Sequence, residues 1–324
     1  MLQQTQVTTV MDYYARFLKR FPGVADLAAA HADDVLALWS GLGYYSRARN
    51  LHRCAQQVVA LHSGRFPQTA QELQTLPGIG PSTAAAIASF CFAERVAILD
   101  GNVKRVLTRV LAFSGDMAEG AQERKLWRIA TSLLPETELE QMMPRYTQGM
   151  MDLGAMICTR RKPQCGVCPV QSMCQGLAMG EPEKYPVKTR KLKRSSQKLS
   201  LLWAQRPDGS VWLERRPGTG IWGGLYCLPV FDNHEALAAF VPDSLHSRME
   251  SLAPFVHVLT HKDLHLCAVI VGFSQSQPMP SMTSDAPGVS EAESHGAWFA
   301  PDAWPALGLP APIRKLLANE AAGH

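Results

Sequence analysis

The sequence predicts an all-α domain over residues 1–178, a basic linker over 179–198 and a smaller α+β domain over 199–324. Three observations carry this. A chain of 324 residues exceeds one ordinary core. From Val7 to about Leu177, apolar residues recur every three or four positions between Gly and Pro breaks, with almost no strand-like alternation. Beyond the linker, β-type runs separated by turn residues replace that pattern.

In the first domain, Val7, Val10, Met11, Tyr14, Leu18 and Phe21 form one apolar stripe of an amphipathic helix. No capping box precedes it, and Met1 and Leu2 already read as part of a buried face. The stretch 181–200 packs seven Lys/Arg and two prolines without periodicity, as a linker tracking solvent or phosphate does. In the second domain Pro207, Asp208 and Gly209 mark a hairpin, "GGLYCLPVF" and "LHLCAVIVGF" add strands, and "HEALAAFV" and "APIRKLLANE" read as helices.

Charge is uneven. Residues 1–200 hold 25 Lys+Arg against 16 Asp+Glu and residues 201–324 hold 7 against 12, so +9 and −5 give the net +4. A basic first part points to a polyanion, and a solvated surface is the alternative. No stretch approaches the roughly 20 apolar residues of a membrane span, and no signal pattern opens the chain. A cytoplasmic protein without membrane contact is expected.

Cys158, Cys165, Cys168 and Cys174 fall within seventeen residues, at intervals of six, two and five. In a reducing compartment such a group reads as a metal site. Zinc usually shows two close Cys pairs and here there is one, which favours a 4Fe-4S cluster. The cluster is read as a structural staple, with Arg160, Arg161 and Lys162 in its loop able to face phosphate. Cys54, Cys91, Cys227 and Cys267 are expected as small core residues.

Two further motifs stand between helices. Pro77-Gly78-Ile79-Gly80 forms a glycine hairpin whose following helix starts at once, a seat for phosphate at its positive end. A plain turn between packed helices would look the same. Asp100 follows an apolar run and precedes a helix with apolar Val103, Val106, Leu107, Val110 and Leu111, the position of an N-cap.

Taken in this order, "LPGIGPSTA", "ILDGNVKRV" and the four-cysteine loop resemble the helix-hairpin-helix DNA glycosylases, and "MLQQTQV" with "LWSGLGYYSRARNL" is similar to their adenine-specific branch. "GIWGGLYCLP" resembles the Nudix-like domain that this branch carries. The resemblance implies a monomer acting on double-stranded DNA that holds A:8-oxoguanine or A:G mispairs. Asp100 would stabilise the sugar oxocarbenium ion, with Asn102 orienting it and Lys104 holding a phosphate. Gly78, Gly80 and Ser82 would meet DNA. Ser82 stands where bifunctional relatives place a Schiff-base lysine, so a monofunctional enzyme follows. Gln4, Leu42 and Tyr44 are the residues assigned to the extruded base's vacated stack, although Tyr44 fits a core aromatic as well.

In the second domain Leu259-Thr260-His261 aligns with a Phe-Ser-His loop that recognises 8-oxoguanine. Thr260 keeps a hydroxyl and Leu259 loses an aromatic face. Asp232, Glu235 and Asp243 lack the paired glutamates of a Nudix hydrolase, so a recognition module is expected. The branch also has a general-acid glutamate two residues upstream of the methionine matching Met1. The chain is therefore expected to lack a preceding segment and to bind DNA while excising adenine poorly. A catalytically inactive mismatch-binding protein is the alternative.

Overall fold

The computed structural model describes residues 1–3, 5–189, 194–280 and 296–321, with side chains of the last helix through 319. The chain forms two compact units that do not follow sequence order: Met1–Gln56 joins Leu192–His324, and Gln57–Lys191 stands as the other. The first unit opens with α1 (Val7–Arg20), α2 (Val24–Ala29), α3 (Ala32–Trp39) and the start of α4 (Ser46–His62). The stripe expected on α1 is two faces. Val10, Phe17 and Phe21 are buried, whereas Val7, Met11, Tyr14 and Leu18 are exposed. Spacings of seven and four align the first set on α3, where the Phe17 ring meets Trp39 edge-on at 6.2 Å. Gln6, at the N-cap, makes no side-chain capping bond.

The second unit continues from α4 through α5 (Ala70–Leu73), α6 (Pro81–Phe92), α7 (Gly101–Val110), α8 (Gly120–Ser132), α9 (Leu139–Asp152) and α10 (Gln175–Ala178). Thr69 caps α5, its hydroxyl oxygen accepting from Glu72 N at 3.2 Å. Leu99, Val103, Leu107, Leu126 and Met143 form the core. On α6, buried Ala84, Ala85 and Ala88 allow close packing, and buried Ser89 bonds Thr147 at 2.7 Å and the Met143 carbonyl at 3.2 Å. Cys91 falls outside that stripe and is exposed, contrary to its expected core position; Cys54 and Cys227 are buried, and Cys267 is half-buried.

The first unit resumes with β1 (Ser195–Gln205), β2 (Val211–Arg215), β3 (Tyr226–Cys227), β4 (Val230–Phe231), α11 (His234–Phe240), β5 (Met249–Ser251), β6 (Phe255–Val258), β7 (Lys262–Gly272), β8 (Gly296–Phe299) and α12 (Ala311–Ala321). Strand β1 starts inside the segment read as linker, and residues 190–193 lie outside the described ones. The main sheet order is β3-β2-β1-β7-β5; β4 also pairs with β1, β6 with β7 and β8 with β2. The β1–β7 pair is parallel, from Ser195 opposite Lys262 to Gln205 opposite Gly272. Consecutive Leu201 and Leu202 are both fully buried because the sheet is covered on both faces. One face packs Leu199, Leu201 and Leu266 with Phe17, Trp39, Leu309 and Ile313; the other packs Leu202, Val269 and Val271 with Leu237 of α11. Among the described residues no helix is long and apolar enough to cross a membrane.

Candidate functional site

The glycine hairpin and Asp100 come together in the second unit. After α5 the chain turns at Gly78, whose φ of +78° lies in the left-handed region that suits glycine, and Ile79 N bonds the Leu76 carbonyl at 3.2 Å. Gly80 is the N-cap of α6, and Pro81 follows at its first position, where a missing N–H costs nothing. Ser82 Oγ accepts from Leu99 N at 3.2 Å, which ties the hairpin to the segment that ends in Asp100.

Asp100 occupies the N-cap of α7. Its Oδ1 accepts from Asn102 N at 3.0 Å and from Val103 N at 2.8 Å. Both capping bonds use one oxygen, so Oδ2 is left to other partners. Asn102 thus engages Asp100 through its backbone N–H, and its side chain is turned elsewhere: Oδ1 accepts from Arg105 Nη2 at 2.9 Å. Lys104 is ion-paired with Glu123 at 2.5 Å, so meeting a phosphate would require it to exchange partners.

Arg105 and Arg109, one turn apart on α7, connect this end of the helix to the cysteine loop. Arg105 Nη2 donates to the Gly154 carbonyl at 2.6 Å and Nε to the Cys158 carbonyl at 2.7 Å. Arg109 is only 2% exposed. It donates to Cys158 Sγ at 3.3 Å and to the carbonyls of Thr159 at 2.7 Å, Arg160 at 3.0 Å and Tyr185 at 3.2 Å. A buried guanidinium with this many acceptors is satisfied and holds the loop backbone in place. Sequence reasoning missed both arginines, because Lys/Arg positions on a helix ordinarily read as its wet face. A π-helical turn, Leu153–Ile157, leads into Cys158. At Gly154 an added Cβ would stand 2.8 Å from Asn102 Cβ and 3.1 Å from its carbonyl carbon. The turn therefore rests on the backbone of the Asp100 cap.

Cys158, Cys165, Cys168 and Cys174 line one cavity together with apolar Val106, Leu153 and other side chains. Burial, and then the neighbouring Cys158, Cys174 and Cys168, push the Cys165 thiol up, while Arg109 pulls it down. Four thiolates in an apolar cavity need cationic charge among them. Four cysteines round one cavity match the ligand set of a 4Fe-4S cluster.

A second group of expected site residues meets within the first unit. Tyr44, with φ +48°, sits in a loop that also uses the positive φ of Gly41 and Gly43. Its hydroxyl is 2.9 Å from Thr260 Oγ1. The Arg47 guanidinium lies 5.3 Å from the Tyr44 ring centroid and donates to the Gly43 carbonyl at 3.3 Å. Tyr44, Leu259, Thr260 and His261 line one cleft with Trp222 and His257. Leu42, by contrast, is 6% exposed and belongs to the core, so serving as a wedge would require it to leave its packing. Gln4 lies outside the described residues.

Burial pushes the His257 imidazole below its ordinary 6.5. The unfolded chain therefore binds a proton that the folded chain resists. This contribution to stability is complete above about pH 6.5 and is lost as pH falls through the lower folded value. Urea midpoints measured from pH 8 to pH 5 should drop more steeply for the unaltered chain than for His257→Gln; parallel profiles would show that His257 carries no such linkage.

A capped carboxylate beside a glycine hairpin, braced by an iron-sulfur loop, is the constellation of a base-excision DNA glycosylase. The chain matches the family model "HhH-GPD superfamily base excision DNA repair protein" over residues 1–131. It also matches "Iron-sulfur binding domain of endonuclease III" over 158–174 and "NUDIX domain" over 201–319. It is 36% identical to the adenine DNA glycosylase of Buchnera aphidicola subsp. Acyrthosiphon pisum (strain APS), over 98% of this chain and 87% of that one. It is 46% identical to the adenine DNA glycosylase of Mus musculus, over 54% of this chain and 33% of that one. A solved thermostable thymine-DNA glycosylase aligns with 55% of this chain and 80% of its own, at TM-score 0.47 and 26% identity. This chain belongs to the adenine DNA glycosylase family, with the 4Fe-4S-binding loop that accompanies it.

Proposed function

We propose that the chain removes adenine mispaired with 8-oxoguanine or guanine in duplex DNA by hydrolysing the bond between base and sugar. The observation that carries this is the Asp100 cap. Two backbone N–H groups fix Oδ1, and Oδ2 remains for the electron-poor sugar. As the bond to adenine lengthens, positive charge spreads over C1′ and the ring oxygen, and a fixed carboxylate stabilises it more than it stabilises the neutral substrate. Water then adds its oxygen to C1′ and the departing adenine takes up a proton in place of the one the water loses, leaving an abasic site and free adenine. Ser82, a hydroxyl engaged with Leu99 N, offers no amine for a Schiff base, which supports a monofunctional reaction without strand cleavage. The cluster would hold Cys158, Cys165, Cys168 and Cys174 in one loop and so support Arg105 and Arg109 behind Asn102, a structural role.

The cleft of Tyr44, Thr260 and His261 is the recognition surface in this reading. The Thr260 hydroxyl and the Tyr44 ring supply a hydrogen bond and a stacking face to the base opposite adenine. The acids near α11 are Asp232, Glu235 and Asp243, all exposed, and this set supports recognition over hydrolysis by the Nudix-like domain. The test replaces Leu259-Thr260 by Phe-Ser and compares binding to duplexes holding A:8-oxoguanine and A:guanine. A change of about tenfold in that ratio is expected from one altered aromatic and hydroxyl contact. An unchanged ratio would move recognition away from this loop. Lesion binding without any release of adenine would instead favour the mismatch-binding alternative.

A further inference from the structure

A second cleft of the first unit is lined by four guanidinium groups and, among the described residues, by no carboxylate. It is open, about 700 Å³ in volume, and lies between α3 with α4 on one side and the end of β2 with its following turn on the other. Arg49 and Arg53 stand one turn apart on α4, and Arg215 and Arg216 are consecutive. Thr219 and Tyr226 add hydroxyl groups. At Gly218 a side chain would meet open space, so the backbone there is accessible.

Among the described residues two carboxylates offset these four cations: Asp33, and Glu214 beside Arg216. Asp33, outside the lining, pairs with Arg215 at 2.8 Å. Arg53 Nη2 donates to Asn50 Oδ1 at 2.5 Å, Arg49 donates to the Gly223 carbonyl, and Arg216 Nε is buried without a hydrogen-bond partner. Like charges at this helical spacing repel. Burial first, and then the Arg53 guanidinium, pulls the Arg49 guanidinium below its ordinary value, while it stays charged. Four cations against the carboxylates of Asp33 and Glu214 leave a positive potential in the cleft, and an anion relieves it.

We propose that this cleft binds a phosphate-bearing ligand, held by Arg49, Arg53, Arg215 and Arg216. The planar fork of a guanidinium matches two phosphate oxygens at once, and four forks exceed what the two carboxylates beside them require. A free polyphosphate or nucleotide and the backbone of duplex DNA both offer this chemistry. The chemistry assigned to Asp100 plays no part in it.

Titration calorimetry of the full chain with pyrophosphate, alone and with saturating duplex DNA, tests it. Pyrophosphate is expected to bind, and Arg53→Gln and Arg216→Gln are each expected to weaken it at least about tenfold. Arg53 is exposed, so its replacement leaves the fold in place. Asp33→Asn, which releases Arg215, should tighten binding severalfold, a gain that a merely structural role would not give. Competition with duplex, and duplex affinity lowered by the same two arginine changes, identifies the DNA backbone as the source. Simultaneous binding of duplex and pyrophosphate identifies a free phosphate ligand. Pyrophosphate binding that ignores all three substitutions overturns the proposal, as does no pyrophosphate binding with unchanged duplex affinity.

Discussion

Replacing Asp100 by Asn is expected to erase the chain's preference for a cationic sugar mimic over a neutral one. A pyrrolidine abasic mimic, protonated at neutral pH, carries the charge that the sugar develops, and a tetrahydrofuran mimic does not. A close carboxylate should favour the first by about 10- to 100-fold, the range of a charge-assisted hydrogen bond partly shielded from water. Asn keeps the cap on Asn102 N and Val103 N, since Asn and Asp cap helices about equally well. Folding should therefore shift little while the charge preference vanishes. Single-turnover release of adenine should fall by about 10²–10³-fold relative to the unaltered chain, as when one transition-state contact is removed. Equal affinity of the Asp100→Asn variant and the unaltered chain for the cationic mimic would leave Asp100 as a cap and nothing more.

Gly154→Ala is expected to separate the cysteine loop from the Asp100 cap. The new Cβ would lie 2.8 Å from Asn102 Cβ and 3.1 Å from its backbone carbonyl carbon and oxygen. Backbone cannot swing aside like the end of a flexible side chain. The π-helical turn or the first turn of α7 must move, loosening the bonds of Arg105 to Gly154 and Cys158. A cost of about 1–3 kcal/mol follows for overpacking of this kind, read as a lower unfolding midpoint and less iron per purified chain. Gly149, in the preceding helix, has open space where its Cβ would be. Gly149→Ala should be neutral or stabilise by about 0.5–1 kcal/mol, which separates a clash at Gly154 from a general effect of alanine. Full iron content and an unchanged midpoint in Gly154→Ala would show that the close approach bears no weight.

What could be read from the sequence was local. The helices of the first part, the Pro207–Gly209 hairpin, α11 and α12 all rest on short-range periodicity and turn residues, and they form. Asp100 could be assigned to a helix start because its own neighbours specify the cap. The parallel pairing of β1 with β7 joins residues 67 positions apart, as in Ser195 and Lys262, and no local signal encodes that register. The inward faces of Arg105 and Arg109 depend on where the cysteine loop passes, which the helix itself does not specify. Burial of Leu42 is of the same kind. Its loop residues signal a glycine turn, while the core that covers it includes Leu309 and Ile313, far along the chain.

The division of the chain also sets an order of events during synthesis. Residues 57–191 are continuous, so their core of Leu99, Leu107, Leu126 and Met143 is complete once that stretch has left the ribosome. Phe17 and Trp39 share their core with Leu309 and Ile313, about 270 to 300 positions later, and closing so long a loop is slow. Helices α1 to α3 thus precede residues 57–191 in the chain but are sealed after them, and until then their exposed aromatic side chains invite aggregation.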